Sequence, residues 1–348
     1  MNDCKLDIGV FLERGRNCPI LDVRSPAEFD RGHIPGALSF PLFSNEERSI
    51  VGTLYLQKGS KEAMMKGLEL VGPKMKEFVR QASDITPEGE LALYCWRGGM
   101  RSNSMAWLLN TSGMKSHTLD GGYRAWRRHI HDFFGQPVPN LVVIGGMTGT
   151  GKTEILEEIE KRGGQVIHLE RLARHKGSVF GHLGMPPQPS TEQFENELYA
   201  CLSALNKDEP VFVEDESLAI GQIFIPKSFY AQMSSARFVN VVVPFEERVK
   251  RLVKSYTGGE TELLITAISR IDRRLGSENA NLAKKFTMER HMEKAVEIVL
   301  EYYDKVYARS MGIHKRAEVN NIFITDENPI EIASRVLEKI INHDNSEY

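Results

Sequence analysis

The feature that most constrains the fold of this chain is a glycine-rich turn between an apolar segment and a helical one. Residues 141–144 form an apolar run, and the sequence Gly-x4-Gly-Lys-Thr follows directly at 146–153. Residues 154–162 then have the periodicity of a helix. A buried strand followed by this motif and then by a helix is typical of a phosphate-binding P-loop. We therefore predict a parallel αβα domain that binds phosphate at a helix N-terminus.

The candidate phosphate ligands come from this turn. Its glycines let backbone N–H groups approach phosphate oxygens, the lysine supplies a positive charge, and the threonine hydroxyl is available to phosphate or Mg²⁺. These residues are Gly146, Gly149, Gly151, Lys152 and Thr153.

An acidic segment, 214–217, follows another strand-like run of the same half. We predict a supporting role for Asp215, with Glu214 as the other candidate, in holding Mg²⁺ through water or in orienting Lys152. A solvated acidic turn is the alternative. We expect no tightly bound cofactor and no resident metal site, and participation of Mg²⁺ is left open.

A second chemical motif lies in the first third of the chain. Residues 91–94 predict a short buried strand, Cys95 follows it, and 102–110 predict a helix. Arg97 and Arg101 place positive charge near the thiol, which favours the thiolate. Gly98 and Gly99 allow the loop amides to turn inward toward an anion. The alternative is a buried structural cysteine.

The composition predicts a globular protein of two domains. The chain has 348 residues, 41% of them hydrophobic, and a formal net charge of −3. A polyanionic partner must therefore be held by local basic patches. We predict a cytoplasmic protein, because the sequence shows neither a transmembrane-length apolar run nor a signal-peptide pattern, and we expect a monomer. The four cysteines are too scattered to indicate a zinc site or a disulfide scaffold.

A proline-containing connector, 136–139, separates two parts of the chain. We expect one domain over residues 1–135 and a second, the P-loop domain with a helical C-terminal part, over 136–348.

The first part resembles a rhodanese-type domain. The resemblance rests on segments in matching order, namely 21–29, 32–37, 94–101 and 120–126. It implies an α/β fold with a parallel sheet and a chalcogen-carrying Cys95, and we assign Asp22 and Arg24 to support of the cysteine loop. Five residues separate Cys95 from Arg101, one more than is usual in sulfurtransferases of this type. That spacing resembles rhodanese-fold phosphatases and suggests a pocket for a larger anion.

A rhodanese-like domain fused to this P-loop domain resembles the tRNA 2-selenouridine synthase family. The resemblance implies exchange of sulfur for selenium at the wobble 2-thiouridine of tRNA, with selenophosphate as donor. It also implies geranyl diphosphate as co-substrate and an S-geranyl-2-thiouridine intermediate. On this hypothesis the P-loop binds the diphosphate, Cys95 takes or positions selenium, and Arg97, Arg101 and the loop amides bind selenophosphate.

Basic residues of the second part are candidate tRNA contacts. One group lies in segment 170–181, and the i, i+3, i+4 spacing of the other predicts a shared helix face. Ordinary solvated surface charge is the alternative. The residues are Arg171, Arg174, Lys176, Arg270, Arg273 and Arg274.

Two other functions fit the same motifs. A phosphatase-like domain with the Cys-x5-Arg loop, fused to a P-loop ATPase or kinase, is one. A non-catalytic tRNA-binding scaffold whose P-loop senses nucleotide is the other.

Overall fold

A computed structural model describes residues 5–178, 181–182, 184–256, 261–311, 318–324 and 328–344. It divides into two compact units, Met1–Phe133 with Glu195–Tyr199, and Phe134–Phe194 with Ala200–Tyr348. Each unit contains a five-stranded sheet whose strand pairs are parallel. Parallel sheets with helical crossovers confirm the predicted α/β fold class.

The first unit holds a sheet in the order β1-β5-β4-β2-β3. Its strands are β1 (Lys5–Leu6), β2 (Ile20–Asp22), β3 (Leu38–Ser39), β4 (Glu90–Tyr94) and β5 (Lys115–Leu119). Its helices are α1 (Ile8–Arg14), α2 (Pro26–Arg31), α3 (Asn45–Lys58), α4 (Ser60–Val71), α5 (Met75–Ile85), α6 (Met100–Thr111) and α7 (Gly122–Phe134), the last of which ends in the second unit. Since the strands are parallel, their carboxyl ends share one edge, where Cys95 follows β4.

The core of the first unit forms where the strands and helices bury their apolar side chains. Leu21 and Leu93 are neighbours across β2 and β4 and are fully buried. Met105 and Leu109, one turn apart on α6, pack into the same cluster. Burial of such side chains is the main favourable term in folding and fixes β4 against α6 on both sides of the cysteine loop.

The second unit holds a sheet in the order β12-β11-β6-β8-β7 and a separate antiparallel pair, β9 and β10. Its strands are β6 (Leu141–Gly145), β7 (Gln165–Ile167), β8 (Val211–Glu214), β9 (Ala219–Ile220), β10 (Ile223–Phe224), β11 (Arg237–Val242) and β12 (Glu318–Phe323). Its helices are α8 (Lys152–Lys161), α9 (Leu169–Ala173), α10 (Thr191–Ser203), α11 (Lys227–Ser235), α12 (Phe245–Tyr256), α13 (Thr261–Ser269), α14 (Asp272–Leu275), α15 (Ser277–Met288), α16 (Met292–Met311) and α17 (Pro329–Asp344).

The core of the second unit covers the strand that precedes the P-loop. Val142 and Ile144 of β6 pack with Val239 of β11 and with Ile155 and Ile159 of α8. Strand β6 is thereby held between two parallel neighbours, as its continuous apolar sequence predicts. Over the described residues, no helix combines the length and apolarity needed to cross a bilayer.

Candidate active sites at the carboxyl edges of two parallel sheets

Cys95 lies at the floor of the loop between β4 and α6. Its Sγ is 3.2 Å from the Ser102 hydroxyl oxygen. The side chain is 3% exposed and packs against the apolar core of the first unit. The sulfur is therefore accessible only to a reagent small enough to enter the loop, or after the loop moves.

The surroundings of Cys95 favour its ionised form in spite of burial. Burial alone raises the pKa of the thiol, but hydrogen bonds from the Ser102 hydroxyl and from the backbone N–H groups of Ser102 and Arg97 outweigh it. The charge of Arg101 acts in the same direction, and the net pKa lies below the ordinary value. A lowered pKa is one property of reactive cysteines, which in other proteins are also partly exposed.

Two glycines let the cysteine loop approach the turn after β5. Gly98 has φ +62°, and a Cβ there would lie 2.5 Å from the Leu119 carbonyl oxygen. Gly122 has φ +59°, and its Cβ would overlap the Cys95 carbonyl oxygen and the Gly98 nitrogen. The Tyr123 N–H donates to the Cys95 carbonyl at 2.8 Å. Glycine at these positions is therefore required for the backbone of both segments to meet.

The two arginines of the loop differ in their partners. Arg101 forms a two-pronged salt bridge with Glu28, with N···O distances of 2.6 and 3.2 Å. The side chain of Arg97 is exposed and has no carboxylate partner among the described residues. Gly99 directly precedes α6 and is partly buried. Of the two predicted anion-binding cations, Arg97 is thus the one whose charge no acidic side chain of the described chain offsets.

Asp22 and Arg24 form a buried ion pair beside the loop, as neither is more than 1% exposed. The Arg24 guanidinium donates to both carboxylate oxygens and, at 2.6 Å, to the Gly32 carbonyl. It also lies 3.8 Å from the centre of the Tyr123 ring. Because Asp22 is opposite Tyr94 in register, the pair fixes the end of β4 from which Cys95 emerges.

The P-loop surrounds the N-terminus of α8. Gly149 and Gly151 have φ of +85° and +83°, which favour glycine. The Lys152 ammonium donates to the Gly146 carbonyl at 2.8 Å, and the Thr153 hydroxyl donates to Glu170 at 3.2 Å. All five predicted phosphate ligands line one cavity of about 560 Å³, which is large enough for a diphosphate and more.

Acidic side chains line this cavity together with the P-loop, and we call Glu170, Asp215 and Glu216 the acidic wall. Glu214 is 1% exposed and accepts the Glu170 N–H at 2.8 Å, so it is not part of a solvated turn. Asp215 accepts the Tyr307 hydroxyl at 3.2 Å. The same hydroxyl accepts the Gly146 N–H at 2.8 Å and so links Asp215 to the P-loop. Among the described residues, no three His, Cys, Asp or Glu side chains form a metal-binding group.

Two carboxyl groups of the acidic wall have raised pKa values. Burial, followed by the negative charge of Glu214, raises the pKa of Glu170 to about 7, against the opposing charge of Lys152. Burial and the charge of Glu170 raise the pKa of Glu216 well above its ordinary value. Like charges in a partly dry site cannot all ionise together, so the wall is less anionic than its sequence indicates.

The predicted basic contacts are dispersed. Arg171 lies near Glu157 and Glu160, Arg174 donates to the Pro187 carbonyl at 3.3 Å, and Lys176 lines the P-loop cavity. Residues 179 and 180 of the same segment lie outside the described residues.

The single helix face expected for three arginines is wrong. Helix α13 ends at Ser269, Arg270 lies in the turn that follows, and Arg273 and Arg274 belong to the separate short helix α14. The backbone leaves the helical conformation at Ile271, which has φ −109° and ψ 6° and is buried in the same apolar cluster as residues of α13 and α15.

Two residues that shape these sites, Glu28 and Tyr307, are not marked as functional by the sequence. The one local signal at Glu28 is its place in the capping box of Ser25, which the structure contains. Tyr307 lies 161 residues from the glycine it contacts, and no local pattern marks it.

Comparison with known proteins identifies the family of this chain. Residues 139–335 match the family model of the tRNA 2-selenouridine synthase AAA domain, and residues 11–129 match the rhodanese-like domain. The tRNA 2-selenouridine synthase of Nitrosomonas eutropha is 38% identical over 68% of this chain and 63% of that protein. The match therefore spans less than two thirds of the length of that relative.

Other relatives match over more of their length. The tRNA 2-selenouridine synthase of Sulfurovum sp. is 32% identical over 84% of this chain and 88% of that protein. The tRNA 2-selenouridine synthase of Aeromonas salmonicida is 32% identical over 89% of this chain and 91% of that protein. With a cysteine loop and a P-loop at the carboxyl edges of its two sheets, this chain belongs to the tRNA 2-selenouridine synthase family.

Proposed function

We propose that this chain replaces sulfur by selenium at C2 of the wobble 2-thiouridine of tRNA, with selenophosphate as donor. The observation that carries the proposal is the match of residues 139–335 to the family model, together with relatives that bear this activity in their names and match over 84% and 89% of the chain. The thiolate-favouring loop at Cys95 and the phosphate-binding loop at Lys152 supply the two chemistries that such a reaction uses.

Geranyl diphosphate is the proposed co-substrate of the second unit. The P-loop cavity shares Thr148, Ser178, Leu252 and Tyr303 with a narrow, largely apolar slot of about 30 Å³. A phosphate-binding site that shares lining residues with an apolar slot suits an isoprenoid diphosphate, because this ligand has a charged diphosphate at one end and a hydrocarbon chain at the other. A ten-carbon chain requires side chains of the slot to shift, and the flexible Met292 is suited to this.

In the first step, the sulfur of 2-thiouridine attacks C1 of the geranyl group. A C–S bond forms, the C–O bond to diphosphate breaks, and the N3 proton of the base is lost to solvent. Lys152 and the N–H groups of the glycine turn stabilise the charge that develops on the leaving diphosphate. The product is S-geranyl-2-thiouridine.

In the second step, selenium replaces the geranylthio group. Selenium bonds to C2, the C2–S bond breaks with loss of geranylthiol, and water cleaves the Se–P bond to release phosphate. Selenium keeps its oxidation state throughout, so no oxidant is required. Arg97 and the loop N–H groups bind the donor anion, and Cys95 positions its selenium end.

Two variants of the full chain separate the steps. With tRNA, geranyl diphosphate and selenophosphate, Cys95→Ser should accumulate S-geranyl-2-thiouridine without selenouridine, and Lys152→Ala should form neither product, by mass analysis of the wobble nucleoside. Cys18→Ser and Lys161→Ala, the latter on an exposed side chain of α8, are the controls. Normal selenouridine formation by Cys95→Ser contradicts the role of the thiol. Aryl phosphate hydrolysis that needs Cys95, with ATP turnover that needs Lys152 but no tRNA, favours the phosphatase–ATPase alternative.

A further inference from the structure

An exposed aromatic and basic surface lies beside the cysteine loop of the first unit. Trp96, directly after Cys95, is 38% exposed, and Trp107 on α6 is 57% exposed. Tryptophan is highly buried on average, so two open indole rings in one region need a reason. We define the α6 surface as Trp96, Arg97, Met100, Trp107 and Arg124.

The α6 surface spans the cysteine loop, α6 and the start of α7. Met100 and Trp107 are seven residues apart on α6, which places them on one face about 10 Å apart along the axis. The Arg124 N–H donates to the Trp96 carbonyl at 3.1 Å, so the start of α7 adjoins Trp96. The surface therefore runs from the rim of the Cys95 loop along α6.

Its charge is unbalanced. The Arg97 and Arg124 side chains are exposed, and neither has a carboxylate partner in the part of the chain that the structure describes. Arg101, by contrast, is offset by Glu28. Exposed guanidinium groups and indole rings on neighbouring segments match an anionic backbone that carries unpaired, stackable bases, and the Trp96 ring stays 38% exposed although it lies 5.8 Å from the Tyr123 ring.

We propose that the α6 surface binds the unpaired bases of the anticodon loop, with Trp96 stacking on the base next to the reacting one. The inference rests on the proposed function for the identity of the RNA. Its position follows from continuity with the Cys95 loop, since a base must be unstacked from its neighbours to react there. Trp96 then takes the place of the lost neighbour, and the arginines contact the adjoining phosphates.

The chain is suited to a direct optical test. It has three tryptophans, and the third, Trp126, is 2% exposed. Emission that is quenched by RNA or by acrylamide therefore reports mainly on Trp96 and Trp107. The probe is an RNA hairpin with the anticodon stem and loop of a substrate tRNA and 2-thiouridine at the wobble position. A blunt duplex of the same stem sequence is the control.

We expect the hairpin to quench the tryptophan emission of the full chain and to protect its tryptophans from quenching by acrylamide. In the Trp107→Phe variant, Trp96 is the one exposed tryptophan that remains among the described residues, so the change in emission reports on Trp96. Trp96→Ala should weaken hairpin binding about tenfold, Trp96→Phe should restore most of the affinity, and Leu56→Ala, which alters an exposed side chain of α3, should have no effect. Duplex binding should be unchanged in all three.

Unchanged emission and acrylamide accessibility at saturating hairpin would overturn the proposal, as would equal losses for hairpin and duplex. Failure of the proposed function would be seen separately, as absence of selenouridine from the wild-type reaction whatever the optical result. Circular dichroism of each variant confirms that it is folded.

Discussion

Glu28 of α2 accepts two hydrogen bonds from the Arg101 guanidinium of α6, at 2.6 and 3.2 Å, and so holds this arginine beside the cysteine loop. Burial raises the pKa of Glu28, but the hydrogen bonds and the charge of Arg101 outweigh it and lower the pKa overall. Against the effect of burial, the charge of Arg101 also lowers the pKa of the Cys95 thiol. The carboxylate of Glu28 offsets part of that charge.

Removal of Glu28 and removal of Arg101 should therefore shift the pKa of Cys95 in opposite directions. Glu28→Gln leaves the arginine charge unopposed and should lower the pKa further, and Arg101→Met should raise it. The pH dependence of Cys95 alkylation by iodoacetamide, read by peptide mass spectrometry, measures both. Cys18 is the internal control, since its pKa is raised, chiefly by burial. Shifts of the same sign in the two variants would contradict this account.

The buried ion pair of Asp22 and Arg24 should be costly to break on one side only. Asp22→Asn leaves a buried guanidinium without its counter-charge, and we expect a loss of about 3–5 kcal/mol in the free energy of unfolding. The double change Asp22→Leu with Arg24→Met buries no charge and should lose less than the single one. All three tryptophans belong to the first unit, so their emission during urea unfolding follows this unit. Equal losses in the single and double variants would argue against an uncompensated charge as the cause.

Gly122 should tolerate alanine less well than another glycine of similar conformation. Gly113 has φ +92° with no atom within 4 Å of an added Cβ, so Gly113→Ala carries only the strain of left-handed backbone, about 1–2 kcal/mol. Gly122→Ala adds an overlap with the Cys95 carbonyl and should cost more. We also expect it to slow Cys95 alkylation or to abolish its pH dependence, because the loop must separate from the turn. Similar losses of stability in both variants would rule out the close approach as the deciding factor.

Glu170 should make the second unit less stable as pH rises. Its pKa is raised to about 7, mainly by burial and secondly by Glu214, from an ordinary value of 4.5. Between these two pH values the unfolded chain releases the proton that the folded chain keeps, so the contribution to stability is present at pH 4.5 and is lost by pH 7 and above.

Glu170→Gln keeps position 170 uncharged at every pH and should flatten this decline. Urea unfolding followed by circular dichroism at pH 5 and pH 8 measures the difference. Glu157→Gln, at an exposed position on the same cavity, is the control. A decline of the same size in wild type and Glu170→Gln would show that another group causes it.

Short-range sequence patterns are sufficient to predict the local framework of both sites. The order apolar strand, glycine turn, helix is encoded in short stretches of neighbouring residues, and it is enough to predict Cys95 and Lys152 just beyond the ends of β4 and β6. Glycine permits the positive φ of Gly98, Gly149 and Gly151 without strain but does not impose it, since Gly99 in the same cysteine loop has φ −103°.

The partners of these residues, in contrast, depend on tertiary packing. Glu28 and Arg101 are 73 residues apart, and Gly146 and Tyr307 are 161 apart. The predicted arginine face is also divided between a turn and a second helix, because the backbone leaves the helical conformation at Ile271. Backbone preferences act over a few residues and can be read locally, whereas ion pairs and burial depend on segments that packing alone brings together.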